Sequence, residues 1–264
     1  MTKLNLIYFS ATGNTKKVLQ TVAKEITDKY TEYDITMEKD RVEEIIPQFT
    51  EEDLVMVGVP VYGGRIPSFL ISYLNTIKGN NTKAVFTVNY GNREYEDALI
   101  ELKDIFEANG FIGIAGAAFV GEHSYTDLVA TNRPDKNDLY IACDFGKKIE
   151  KKIQAIRRDH TYEKLIVKGK FPYVVKDNAP VSPTAPTTNA LCIRCGLCAE
   201  TCPVGAINRD DFIESDPHKC MHCNRCIKNC PVNARKFEAE WVKNIINWLE
   251  TTCSGVRKEP ELFI

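Results

Sequence analysis

Short apolar runs alternate with helical stripes through the first part of the chain. Leu4 to Phe9 reads as a buried strand, after which Val18, Leu19, Val22 and Ile26 recur on one helical face. Further strand patterns lie at Asp34 to Glu38, Asp53 to Val59, Ala84 to Val88 and Phe111 to Val120. Helical stretches separate the later ones, at Ile66 to Ile77 and at Glu94 to Asn109, and a long helix is expected from about Asp138 to Arg158. Strands alternating with helices predict an α/β fold with a parallel, doubly wound sheet, because parallel neighbours need a crossover and helices cover both faces. Pro172, Pro180, Pro183 and Pro186, among Ser, Thr and Asn residues, then mark a linker. Its first half carries Phe171, Tyr173 and Val174 and is expected to pack against a domain. Near the C terminus Phe237, Trp241, Ile245, Trp248 and Leu249 share one helical stripe, read as a docked helix rather than a membrane-surface one because its polar face mixes Glu238, Glu240, Lys243 and Glu250. The chain thus divides into a domain at 1–160, a linker at 161–188, a small module at 189–236 and a C-terminal helix and tail at 237–264.

Composition changes this outline little. With 44% apolar and 27% charged residues among 264, the chain suits a soluble globular protein of one sizeable domain and one small one. The longest nearly apolar stretches, Leu54 to Val61 and Phe111 to Val120, are far too short to cross a bilayer, and the N terminus has no signal-peptide pattern. A cytoplasmic protein is expected. Residues 1–160 hold 20 Lys and Arg against 24 Asp and Glu (20 − 24 = −4), and the remainder 14 against 12 (14 − 12 = +2). Neither part carries the basic field that nucleic acid requires.

The cysteines change the picture most. Eight of the ten fall into two runs, Cys192, Cys195, Cys198, Cys202-Pro203 and Cys220, Cys223, Cys226, Cys230-Pro231. Each run is C-x2-C-x2-C-x3-C-P, the spacing of bacterial ferredoxins that hold two iron–sulfur clusters. Three thiolates three residues apart meet at one point only if the backbone curls around it. The fourth follows after a helical turn and points towards the other cage. The expected ligation is therefore crossed: Cys192, Cys195, Cys198 and Cys230 on one 4Fe-4S cluster, Cys202, Cys220, Cys223 and Cys226 on the other. Zinc prefers two separated pairs of ligands, and disulfides need an oxidising compartment, so both fit less well. Corresponding cysteines of the two runs stand at a constant offset, which implies internal duplication. So few apolar residues accompany them that the metal centres are expected to supply most of the module's folding energy.

The loop Ser10-Ala11-Thr12-Gly13-Asn14-Thr15 joins a strand to a helix. Its backbone N–H groups and hydroxyls would surround a helix N terminus, which favours a phosphate. It is too short for a Walker A loop and lacks the G-x-G-x-x-G of dinucleotide sites. Ser, Thr and Asn also cap helices in their own right. The next strand ends lead into Pro60-Val61-Tyr62-Gly63-Gly64-Arg65, into Asn89-Tyr90-Gly91-Asn92-Arg93 and into Gly121 to Asp127.

On these loops, residues 1 to about 158 resemble a flavodoxin. The resemblance implies a flavodoxin-like five-stranded parallel sheet of order 2-1-3-4-5, with FMN across the carboxyl ends of the strands. It assigns Ser10, Ala11, Thr12, Gly13, Asn14 and Thr15 to the phosphate loop. It adds Val61 and Tyr62 to the cofactor site, Tyr62 where the family stacks an aromatic ring on the isoalloxazine, and Gly63 and Gly64 where a peptide reorients as the flavin takes a proton. Asn89, Tyr90 and Gly91 fall on the other ring edge. Arg65 and Arg93 stand where short flavodoxins carry acidic residues, so either would face an anionic flavin or substrate, or pair on the surface. His123 and Tyr125, with Arg93, are candidates for proton delivery or substrate contact, set against a loop held by its own hydrogen bonds.

The whole chain resembles fusions of a flavodoxin domain with a small α+β bacterial two-cluster ferredoxin module, known mainly from anaerobic bacteria. The resemblance implies electron transfer between two 4Fe-4S clusters and FMN, to or from redox partner proteins. The alternative is a reductase whose FMN acts on a small-molecule substrate, with the clusters as its supply. A third reading makes the clusters structural or sensory.

Overall fold

The structure, a computed structural model, describes residues 3–43, 46–175 and 183–264. The first part runs β1 (Lys3–Tyr8), α1 (Asn14–Lys24), β2 (Tyr30–Asp34), α2 (Glu38–Glu43), β3 (Asp53–Pro60), α3 (Ser68–Leu74), β4 (Thr82–Tyr90), α4 (Ala98–Ala108), β5 (Phe111–Val120) and α5 (Lys136–Asp159). The five strands pair in parallel in the order 2-1-3-4-5. Successive side chains leave a strand on opposite faces. Leu4, Leu6 and Tyr8 accordingly share a core with Val18 and Leu19 of α1 and Phe145 and Ile149 of α5. Ile7 and Phe9 share the other with Leu70 of α3 and Leu99 and Phe106 of α4. Burial on both faces is why the central strands read as continuous apolar runs.

The second part runs β6 (Thr187–Thr188), α6 (Leu197–Glu200), α7 (Arg225–Lys228), β7 (Arg235–Lys236), α8 (Glu240–Cys253) and β8 (Glu261–Phe263). β6 and β7 form a two-stranded antiparallel ribbon that closes the cysteine module. The duplication read in the sequence recurs in the backbone. Arg194 and His222, Gly196 and Asn224, and Gly205 and Asn233 occupy matching places in the two runs, and all six have positive φ.

Two expectations need correction. The second strand lies at Tyr30–Asp34, not Asp34 to Glu38. It is an edge strand with no fully buried residue, and the apolar Ile35 is buried just beyond its end. The sheet also has six strands, because β8 pairs antiparallel with β5. The C-terminal tail therefore returns to the first domain's sheet. Asn92 holds it there, its amide donating to the carbonyls of Cys253 (3.2 Å) and Val256 (2.6 Å).

The linker's first half packs as expected, through Tyr173 and Val174 but not Phe171, and with two further apolar residues. Leu165 and Val167 are buried in the sheet's core, and Asp97 accepts hydrogen bonds from the N–H groups of Lys170 (2.9 Å) and Val174 (2.6 Å). Tyr173 donates to Asp104 at 2.8 Å, whereas Phe171 is exposed. Residues 176–182, including Pro180, lie outside the described residues. No helix among the described residues is long and apolar enough to cross a membrane.

Candidate functional site

Loops after β1, β3, β4 and β5 open at one edge of the sheet and enclose a cleft of about 780 Å3. Ser10, Ala11, Thr12, Asn14 and Thr15 line it from the first loop, Val61, Tyr62 and Gly63 from the second, and Asn89, Tyr90 and Gly91 from the third. Gly13 and Gly64 do not line it. Gly13 caps α1 with φ 89°, and Gly63 and Gly64 (φ 60° and 81°) form the turn that pairs Tyr62 with Arg65. A Cβ on Gly64 would run into Glu96.

Several polar groups in the cleft have no partner among the described residues. The first-turn N–H groups of α1 have no intrahelical acceptor. Ser10 meets one of them, its Oγ accepting from the Lys16 N–H at 3.1 Å, so this residue does act as a cap. Gly13, at the cap position itself, has no side chain to do so. At the end of β4 both ends of the Asn89 amide are buried without a hydrogen bond among the described residues, although unmet buried polar atoms are costly. A flat heterocycle with alternating donors and acceptors would satisfy them. Tyr62 is partly buried, with burial and then the neighbouring Cys223 and Tyr125 holding its phenol well above the usual range. Tyr90 packs its ring on Tyr95 (centroids 5.4 Å apart) and gives the cleft only part of its surface. A phosphate loop, an aromatic ring and an unsatisfied amide around this volume fit FMN.

The three candidates for chemistry, Arg93, His123 and Tyr125, all line the cleft. Arg93 is bound bidentately by Glu96 at 2.9 and 2.7 Å, so its charge is already balanced. Burial, reinforced by the cations of Lys228 and Arg93, pushes the His123 imidazole down to about 4. Its Nδ1 accepts from the Tyr125 N–H at 3.1 Å, which leaves Nε2 to carry the proton of the neutral ring. Burial, and then Cys220 and Cys223, push Tyr125 up to about 12. Arg65 turns away from the cleft. Its guanidinium is held by Glu101 at 2.7 and 2.5 Å and lies 4.7 Å over the Tyr173 ring, so of its two expected roles it takes the ion pair and does not face the cleft.

The rest of the cleft wall was not legible in the loops. Val174 and Val175 come from the linker, Ile245, Trp248 and Leu249 from α8, and Met221, His222 and Cys223 from the second cysteine run. The apolar stripe of α8 is plain in the sequence, but its docking place is not. His222 also lines the cleft, with its Nε2 2.8 Å from the Thr184 carbonyl. The module is fixed to the first domain by cations. Lys228 pairs with Glu122 at 2.8 Å and with Asp127, Arg41 donates to the Pro203 carbonyl at 2.9 Å, and Arg225 donates to the Ala11 carbonyl at 2.9 Å.

Inside the module the eight cysteines surround two small cavities. One is lined by Cys192, Cys195, Cys198 and Cys230, the other by Cys202, Cys220, Cys223 and Cys226. Among the described residues no group of three His, Cys, Asp or Glu side chains is placed to hold a lone metal ion, and each cysteine set lines a small space. None of the ten cysteines is in a disulfide. Backbone N–H groups of Ala206 and Ala234 donate to the sulfurs of Cys202 (3.3 Å) and Cys230 (3.2 Å), again as a repeated pair. Burial pushes the Cys223 and Cys226 thiols up to about 12 and about 11, so a metal centre binding there must displace their protons. A buried arginine, Arg235, lies between the sets: it reaches 3.9 Å from Cys198 Sγ, and its cation also acts on Cys226. Sequence reading passed over it because its partners are gathered from across the module. Cys143 and Cys253 lie outside both sets, and Cys253 packs with Val129 and Leu249.

Family profiles agree with both halves of this description. One described as a flavodoxin domain matches residues 5–133, and one described as a 4Fe-4S dicluster domain matches residues 191–234. No curated protein matches the chain. Similar solved structures include a flavodoxin from the domain Archaea, at 16% identity over 58% of this chain and 99% of that one with a TM-score of 0.40. Flavodoxin 1 from Bacillus cereus matches at 19% identity over 57% of this chain and 98% of that one, with a TM-score of 0.42. The rubredoxin oxygen:oxidoreductase of Desulfovibrio gigas matches at 16% over 58% of this chain and 36% of that one, also with a TM-score of 0.42. A flavodoxin domain implies FMN and a 4Fe-4S domain implies iron–sulfur clusters. The chain therefore joins a flavodoxin domain to a 4Fe-4S dicluster domain in one polypeptide, the composition of a flavodoxin–ferredoxin fusion.

Proposed function

We propose that this protein transfers electrons between two 4Fe-4S clusters and FMN within one chain, to or from redox partner proteins. The observation that carries the reading is Cys223, which lines both the inner cysteine cavity and the flavin cleft. A centre held by Cys202, Cys220, Cys223 and Cys226 would share a wall with the flavin, and the set of Cys192, Cys195, Cys198 and Cys230 would lie further out. FMN exchanges electrons singly or in pairs and a 4Fe-4S cluster one at a time, so such a chain links the two modes of redox chemistry. The protein's own part is to fix spacing and exclude water. Lys228, Arg41 and Arg225 hold the module against the cleft, while Met221 and Tyr62 fill the space between. The outer set supports a docking role for partner proteins, since Cys195 is exposed and Leu191 and Ile193 beside it are 63% and 62% exposed.

Iron and flavin content test this reading. Anaerobically purified protein should hold about eight irons per chain and one FMN. Replacing Cys192 and Cys230 together by Ser should leave about half of the iron, because both belong to one crossed set. Replacing Cys192 and Cys202 together should damage both clusters. The opposite pattern would establish uncrossed ligation, and zinc in place of iron would overturn the function.

A further inference from the structure

Arg225 stands between Cys223 and Cys226, yet its guanidinium reaches out of the module to the first loop of the other domain. Nη1 donates to the carbonyl of Ala11 at 2.9 Å and to that of Ser10 at 3.4 Å. These carbonyls belong to the two successive peptide units Ser10–Ala11 and Ala11–Thr12. Both are trans, so each carbonyl and the N–H of the following residue point in opposite directions. A single cation drawing both oxygens to one side of the loop therefore turns the N–H groups of Ala11 and Thr12 to the other. Among the described residues neither N–H meets a protein acceptor, and both residues line the cleft. A carbonyl that accepts from a cation also polarises its peptide and strengthens the N–H as a donor.

We propose that Arg225 is a positioning residue for the flavin phosphate: the cluster module, through this side chain, aims the Ala11 and Thr12 N–H groups at the phosphate. The inference rests on the FMN reading above and adds to it that the phosphate site is completed from the cluster side. The Nε of the same guanidinium is buried without a partner among the described residues. An Arg kept in that position for docking alone would have been free to spend its donors on side chains at the interface, as Lys228 does on Glu122 and Asp127.

The test compares FMN with riboflavin, which lacks the phosphate, on iron-loaded Arg225→Gln and wild-type protein. Loss of aimed donors should weaken FMN roughly tenfold, the usual scale for a charge-assisted hydrogen bond. Riboflavin affinity and iron content should stay at wild-type values. Arg225→Lys, which keeps one cationic donor, should fall between the two for FMN and serves if the glutamine variant loses iron. Unchanged FMN affinity with full iron overturns the proposal, and so does an equal fall for FMN and riboflavin, which would mean that the module has merely come loose. If wild-type protein binds neither flavin, it is the FMN reading itself that fails.

Discussion

Tyr62, in the turn after β3, and Cys223, in the second cysteine run, line the same cleft and belong to the same packed core. In the proposed function this arrangement sets the aromatic position of the flavin site beside a ligand position of the inner cluster. Burial keeps the phenol protonated, so Tyr62 acts in the cleft as a neutral ring. Tyr62→Phe should bind FMN within about twofold of wild type, whereas Tyr62→Ala, which loses a stacking surface, should bind roughly tenfold more weakly. Fluorescence titration of iron-loaded protein checks both. Wild-type affinity in the alanine variant would remove Tyr62 from the flavin site.

Asn89 makes the opposite trade between stability and binding. Among the described residues its buried amide is unmet at both ends, an arrangement that costs about 1–3 kcal/mol where no other group meets it. Asn89→Leu should therefore melt at a higher temperature than wild type without flavin, and should bind FMN at least roughly tenfold more weakly. A variant that is less stable and still binds normally would show that the amide has some other task.

A histidine held neutral makes stability depend on pH. His123 titrates at about 4 in the folded chain against 6.5 as its ordinary value, so on acidification the unfolded chain takes up its proton first. Its contribution is complete above the ordinary value and is lost as the pH falls through that window towards 4. Denaturant melts between about pH 7 and 5 should show wild type losing more stability than His123→Gln. Parallel curves would mean that the imidazole is solvated and free to protonate.

What the sequence reveals about this molecule divides by distance along the chain. The cysteine spacing, the Ser10 to Thr15 loop and the strand runs are local patterns set by thiolate geometry, helix termini and two-sided burial, and they were readable. The edge strand at Tyr30–Asp34 was not, because half-exposed Tyr, Thr and Glu residues leave no apolar run. Docking was hidden altogether. Nothing near Met221 and His222 announces that they face a cleft built from residues 10 to 125, and nothing near Arg65 marks Glu101 as its partner. The short β8 was invisible for the same reason, since its apolar residues have meaning only beside β5.

Serial order is the central claim: outer cysteine set, inner set, flavin cleft. It is tested most directly by rapid mixing of FMN-loaded protein with a reduced one-electron donor protein, following the bleaching of flavin absorbance. The variant is the double replacement of Cys192 and Cys230 by Ser, which removes only the outer set. Bleaching by the donor protein should slow about tenfold or more, while flavin content, about half of the iron and reduction by a small chemical reductant persist. Bleaching by the donor protein at the wild-type rate would show that electrons reach the cleft without the outer set and would contradict the account.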